Sequence, residues 1–136
     1  MQDIVLASSN PGKVREINQL LAELDLRVRP QGEFNVIDAE ETGLTFVENA
    51  ILKARNAAQH TGLPAIADDS GIEVDALKGA PGLYSPRFAG ADASDRENLD
   101  KLLAELEGRP EAQRSARYTC RMGYRRHAGD TTPLSC

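Results

Sequence analysis

The 136-residue sequence contains no apolar run of membrane-spanning length, only two cysteines and no excess of positive charge. A bilayer-crossing helix needs about 20 consecutive apolar residues, so the sequence predicts no membrane partner. Cys120 and Cys136 form no Cys-x-x-Cys pair and no secreted disulfide framework. The opening Met1 to Ala7 lacks the pattern of a signal peptide, so the expected location is the reducing cytoplasm. Sixteen basic residues against 21 acidic ones leave a formal net charge of −5, which argues against a non-specific nucleic-acid binder. Any polyanionic ligand must then be met by local positive charge or a metal. What is present, 40% hydrophobic and 27% charged residues without visible repeats, is ordinary for one globular domain.

Ile4 to Ala7 is a short apolar run and predicts a strand covered on both faces. It opens into Ser8-Ser9-Asn10-Pro11-Gly12-Lys13, where Asn10 suits a helix N-cap and Pro11 the first helical position. Val14, Ile17, Leu20, Leu21 and Leu24 then recur at helical spacing and predict one apolar face. Leu26, Val28 and Pro30 alternate with Arg27 and Arg29 as a weak strand. Residues 31 to 44 are polar and acidic and read as a loop.

Thr45 and Glu48 have the spacing of a capping box. The helix they open carries Phe46, Ala50, Ala54 and Ala57 on one side and a polar stripe of Asn49, Lys53 and Asn56 on another. Leu63 to Gly71 then places small apolar residues directly before Asp68-Asp69-Ser70-Gly71, predicting a strand that ends in two acids. A second strand is expected where Ile72, Val74 and Ala76 alternate with Glu73 and Asp75. Lys78 to Gly90, rich in Gly and Pro, reads as an ordered loop. Ser94 and Glu97 form a second capping box, whose helix is expected to bury Leu99, Leu102, Leu103 and Leu106. Tyr118 to Arg125 predicts a last strand with one basic face. The element order points to an α/β sandwich with a partly parallel sheet.

Three stretches carry chemistry. Ser8 to Lys13 sits at a strand-to-helix junction, where free backbone N–H groups, a helix dipole and a lysine suit a phosphate. The spacing is not that of a P-loop, and a plain N-cap with a surface lysine explains the same residues. Asp68 and Asp69 are costly to bury ionised without partners, so a cation is expected beside them. Glu40, Glu41 and Asp69 together would make a hard oxygen site of the kind magnesium takes, although acidic loop residues are ordinarily just solvated. Arg87 fits either a phosphate or a carboxylate. His60 and His127 have no metal-ligand spacing.

Four motifs in order make the combination specific: Ser8 to Lys13, Phe46-Val47-Glu48-Asn49-Ala50-Ile51-Leu52-Lys53-Ala54, Ala67-Asp68-Asp69-Ser70-Gly71, and Pro81-Gly82-Leu83-Tyr84-Ser85-Pro86-Arg87. Over roughly residues 3 to 120 the chain resembles the inosine/xanthosine triphosphate pyrophosphatase family. The resemblance implies an elongated α/β fold with a central mixed sheet flanked by helices, a homodimer and a magnesium-dependent site. The implied activity is hydrolysis of ITP, dITP and XTP to the monophosphate and pyrophosphate, which clears deaminated purines from the nucleotide pool. Carried over by residue, Ser8, Ser9, Asn10, Pro11, Gly12 and Lys13 would bind the purine nucleoside triphosphate, and Ser70 would contact it. Glu40 and Asp69 would hold magnesium, Asp69 would also accept a proton, and Lys13 and Lys53 would lie by the phosphates.

The family's later Gly-Phe-Gly-Tyr-Asp-Pro and Ser-His-Arg motifs are not in this sequence. It is therefore expected to be a single incomplete domain over residues 1 to 136, with the C-terminal, base-recognising part missing. The competing expectation is a non-catalytic chain that keeps only phosphate binding or dimerisation.

Overall fold

The central strand of the fold is the one the first apolar run predicts. In the computed structural model, which describes residues 1–8 and 10–131, β1 (Gln2–Leu6) lies between β2 (Leu26–Pro30) and β3 (Ala65–Val74). The four-stranded sheet has the order β2-β1-β3-β4, with β4 (Ala116–Arg125) at its edge. β1 pairs in parallel with both neighbours, setting Ile4 opposite Val28 and Leu6 opposite Ile66. Ile4, Val5 and Leu6 are all buried, as a doubly covered strand requires. The sheet is mixed, with helices α1 (Pro11–Leu20), α2 (Phe46–Thr61) and α3 (Asp95–Glu105) beside it.

The chain divides into two compact units, one of Met1–Asp69 with the residues from Arg121, the other of Ser70–Cys120. In the first, α2 brings Ala54, Ala57 and Ala58 against Val5, Ala7, Ala65 and Ala67. Small residues on both sides let the helix backbone approach the strands closely. Phe46 and Ala50 are buried on the same helix, so the expected apolar side is the observed one. β2 is held to β1 from the solvent side as well. Asp3 accepts from Arg27 at 2.9 and 3.0 Å and from Arg29 at 3.1 Å. The Arg27 hydrogen bond, aided by Arg29 and opposed by some burial, holds the Asp3 carboxyl below its usual range.

α1 is shorter and less buried than its periodicity predicts. It ends at Leu20, has no fully buried residue, and leaves Leu20 and Leu24 exposed. The chain has to turn back within a few residues to set Leu26 beside Gln2, and that turn takes Leu24 out of the helical register.

The largest difference from expectation is β3. Two strands separated at Asp-Asp-Ser-Gly are in fact one ten-residue strand, so the acids lie inside it and not at its end. Burial alternates from Ala65 to Gly71, with Ala65, Ala67, Asp69 and Gly71 buried and Ile66, Asp68 and Ser70 less so. Successive side chains of a strand point to opposite faces. Adjacent acids therefore face different surroundings, and one strand can carry both.

In the second unit, Val74, Leu102 and Leu106 form a core with Ile72, Ala76, Leu77 and Phe88 around it. Both halves of the Ser94–Glu97 capping box form, each at 3.1 Å. Leu99 and Leu103 remain about half exposed, at 47% and 51%, because the row that meets this core is Leu102 and Leu106. A short 3-10 turn, Asp75–Leu77, stands where the strand was expected to run on to Ala76, and another, Gly82–Arg87, lies within the expected ordered loop. Gly71 admits the second of them: a Cβ there would stand 2.2 Å from the Gly82 carbonyl oxygen and 2.7 Å from Ser85 Oγ. The Ser85 hydroxyl fills that gap, donating to the Gly82 carbonyl and accepting from Ile72 N–H.

β4 carries the basic residues expected of it. Its edge position keeps Arg117 and Arg121 exposed, and Arg117 pairs with Asp75 at 2.9 Å. Arg125 is buried, with Nη1 donating to the Tyr124 carbonyl.

Candidate active site

Alternation along β3 distributes the two acids to two lysines. Asp68 accepts from Lys13 Nζ at 3.2 and 3.0 Å through its two oxygens. Asp69, only 5% exposed, accepts from Lys53 Nζ at 3.2 Å. Lys53 also donates to the Asp68 carbonyl at 3.1 Å. Each cation reaches its acid from a different helix, Lys13 from the first turn of α1 and Lys53 from the middle of α2. The sequence demands a cation for the pair and leaves Asp68 without a partner; the structure supplies two cations and gives Asp68 to Lys13.

The α1 junction is built as an Asn10 cap. Asn10 Oδ1 accepts from the N–H groups of Gly12 at 2.9 Å and Lys13 at 3.4 Å, and Asn10 N–H donates to Ser8 Oγ at 3.1 Å. The N–H groups of Gly12 and Lys13, expected to be free for a phosphate, are thus engaged by Asn10. What the junction still presents is the positive end of the helix dipole and the Lys13 ammonium. Pro11 occupies the first helical position as expected. Ser9 lies outside the described residues.

The polar stripe of α2 fixes the acidic loop. Asn56 Nδ2 donates to the Ile37 carbonyl at 2.9 Å, Lys53 pairs with Glu41 Oε1 at 2.6 Å, and Asn49 Oδ1 accepts from Gly43 N–H at 2.7 Å. Running back along the helix, the stripe therefore meets residues 37, 41 and 43 in rising order. Glu41 is the acid that reaches Lys53, whereas Glu40 is exposed. Glu48 departs from a closed capping box: Thr45 Oγ1 accepts from Glu48 N–H at 3.2 Å, but the Glu48 carboxylate accepts from Leu44 N–H at 2.7 Å.

Electrostatically, Lys53 is the hub of this cluster. Burial pushes the Asp69 carboxyl above its usual range; the Lys53 charge opposes that and the nearby Glu41 charge adds to it. For Lys53, burial lowers the ammonium, but the hydrogen bond it donates to Glu41 and the charges of Asp69 and Glu41 raise it overall. A desolvated carboxyl raised above its usual range beside a lysine is the kind of perturbed pair found at functional sites.

Among the described residues, no three His, Cys, Asp or Glu side chains gather into a metal-holding group. The donors that do converge, Asp69 and Glu41 on one ammonium, are hard carboxylate oxygens. Magnesium takes one or two such ligands and fills the rest of its shell with water and phosphate oxygens, so the donor set fits that ion.

Ser70 belongs to the second unit, where its hydroxyl stands 2.8 Å from the Tyr118 hydroxyl. Tyr118 was not a candidate from sequence; its period-2 position in β4 reads as an ordinary strand residue. Arg87, also in the second unit, places its guanidinium 5.3 Å from the centre of the Tyr84 ring. His60 Nδ1 lies 2.8 Å from the Asn56 carbonyl oxygen at the end of α2.

The profile of the Ham1 family matches residues 4–135. Curated proteins named dITP/XTP pyrophosphatase from Yersinia pseudotuberculosis and Vibrio parahaemolyticus are 66% identical over 134 residues and 62% identical over 136. These alignments cover 98% and 100% of the present chain and 68% of each relative. A solved HAM1 protein from Coxiella burnetii is 50% identical with a TM-score of 0.91, covering all of this chain and 69% of that one. A structure titled nucleoside-triphosphatase / dITP/XTP pyrophosphatase from Mycobacterium abscessus is 36% identical with a TM-score of 0.74, covering 90% and 65%.

Proposed function

The chain belongs to the Ham1 family, and from that premise we propose that it hydrolyses dITP, ITP and XTP to the nucleoside monophosphate and pyrophosphate. The observation that carries the reading is the double lysine–aspartate pairing on β3, Lys13 with Asp68 and Lys53 with Asp69. It gathers two cations and a desolvated carboxylate around consecutive residues, a combination suited to a polyphosphate and a water.

Asp69 takes the proton of the attacking water. The oxygen of that water becomes part of the monophosphate, the bridge between the α- and β-phosphates breaks, and pyrophosphate leaves with the bridging oxygen. Lys13 and Lys53 balance the charge that grows on the leaving group, an effect strongest where water is excluded. The positive end of α1 adds to the same field. Asp69 with one acid of the Glu40–Glu41 pair would hold magnesium, which when bound neutralises phosphate charge and makes a coordinated water more acidic. Ser70 contacts substrate in this reading, as the resemblance implies. A homodimer and a cytoplasmic location belong to it as well; among the described residues no helix is long and apolar enough to cross a membrane.

Pyrophosphate release from ITP and from GTP, each with magnesium and with excess chelator, tests the proposal. The expected result is release from ITP in preference to GTP, lost on chelation and restored by added magnesium. Equal turnover of GTP, or turnover that survives chelation, would contradict it.

A further inference from the structure

We infer that Asn49 is a positioning residue that locks the Asp69 carboxylate in one orientation and ties it to the 41–43 segment. Asn49 is 1% exposed, so its amide has no recourse to solvent. Both ends of that amide are engaged: Oδ1 accepts from Gly43 N–H at 2.7 Å, and Nδ2 donates to Asp69 Oδ2 at 3.3 Å. A backbone N–H can only donate, so it must face the amide oxygen, and the NH2 group is left for the carboxylate. The loop therefore dictates which way the amide points, and the amide dictates what Asp69 meets.

With Lys53 on Oδ1 and Asn49 on Oδ2, rotation of the Asp69 carboxylate would break a bond at either end. Lys53 and Asn49 sit one turn apart on α2, and both also hold the acidic loop, at Glu41 and Gly43 respectively. Asp69 and the loop are thus fastened to the same helix face by the same two side chains. Gly43 is fitted to this contact: a Cβ there would lie 2.6 Å from Asn49 Oδ1 and 2.7 Å from Glu48 Cβ. No other residue type leaves the amide where it is.

The inference rests on the catalytic role proposed for Asp69. Three variants of the full chain, Asn49→Ala, Gly43→Ala and their double, are compared for kcat and KM on ITP and for amide hydrogen exchange without substrate. A misplaced reacting group costs on the order of 100-fold in rate, so Asn49→Ala is expected to lower kcat by about 10- to 100-fold while KM changes by less than about 3-fold. Gly43 N–H should lose its exchange protection in Asn49→Ala while the β1 amides keep theirs. Gly43→Ala should reproduce the kcat loss by displacing the amide, and the double variant should be no worse than either single one.

Native-like kcat in a folded Asn49→Ala protein would overturn the inference, as would additive losses in the double variant. Loss of β1 protection together with activity would make Asn49 a residue of the fold and overturn it too. Asp69→Asn separates the levels. If it is inactive while Asn49→Ala is fully active, only the positioning role fails; if it turns over normally, the catalytic reading itself fails.

Discussion

Asp69→Asn is expected to lower kcat for pyrophosphate release from dITP by about 100- to 10,000-fold, the range a positioned proton acceptor supplies. The fold should survive. The substitution removes a carboxylate whose ionisation burial opposes, and that relief offsets the weakened contacts to Lys53 and Asn49. Circular dichroism and a thermal melt close to those of the native chain, alongside the lost turnover, are the expected pair of observations. A variant that keeps near-native kcat removes Asp69 from the chemistry.

Lys53→Met is the second large effect and acts on both activity and stability. It removes the ammonium shared by Glu41 and Asp69, leaving the buried Asp69 carboxylate without its cation. Breaking a buried ion pair on one side costs about 3–5 kcal/mol; because Lys53 and Glu41 keep some solvent contact, about 2–4 kcal/mol is expected here. Turnover should fall by on the order of 100-fold or more, as for loss of a group that stabilises developing charge.

The stability loss has a definite pH dependence. Asp69 already has its carboxyl raised by burial, and without Lys53 it rises further. A raised carboxyl favours the folded state while protonated, so that contribution is full below the unfolded value near 3.8 and is lost as pH climbs through the folded one. The deficit of Lys53→Met should thus be smallest near pH 4 and grow toward neutrality. Combining it with Asp69→Asn should return part of the lost stability, because the buried carboxylate that lost Lys53 is gone. Urea denaturation of both variants across this pH range measures the effect; a deficit that shrinks toward neutrality would refute the account of Lys53.

Much of this site was legible from residue order, because helix caps and strand alternation are local. Asn10 before Pro11, the Thr45 cap, the alanine face of α2 and the Ser94–Glu97 box depend on neighbours within one turn, and each forms as its spacing predicts. The stripe of Asn49, Lys53 and Asn56 was likewise visible. Its target was not, since a polar loop over residues 31 to 44 carries no periodic signal to register against the helix.

The same limit explains β3. Two adjacent acids look like the end of a strand because burying them unpaired is too costly. Their partners come from residues 55 and 16 positions away, and no local pattern announces them. Once Lys13 and Lys53 are in place, alternation makes continuation of the strand acceptable. Exposed Leu20, Leu24, Leu99 and Leu103 show the converse: helical spacing marks which residues could be buried, but the extent of the facing surface decides which are.

The most direct measurement is product analysis by 31P NMR of dITP incubated with the full chain and magnesium. The account predicts dIMP and pyrophosphate in equal amounts, both formed at least about 100-fold more slowly by Asp69→Asn. Orthophosphate with dIDP as the first products, or an intact substrate signal in the presence of cooperatively folded protein, would contradict it.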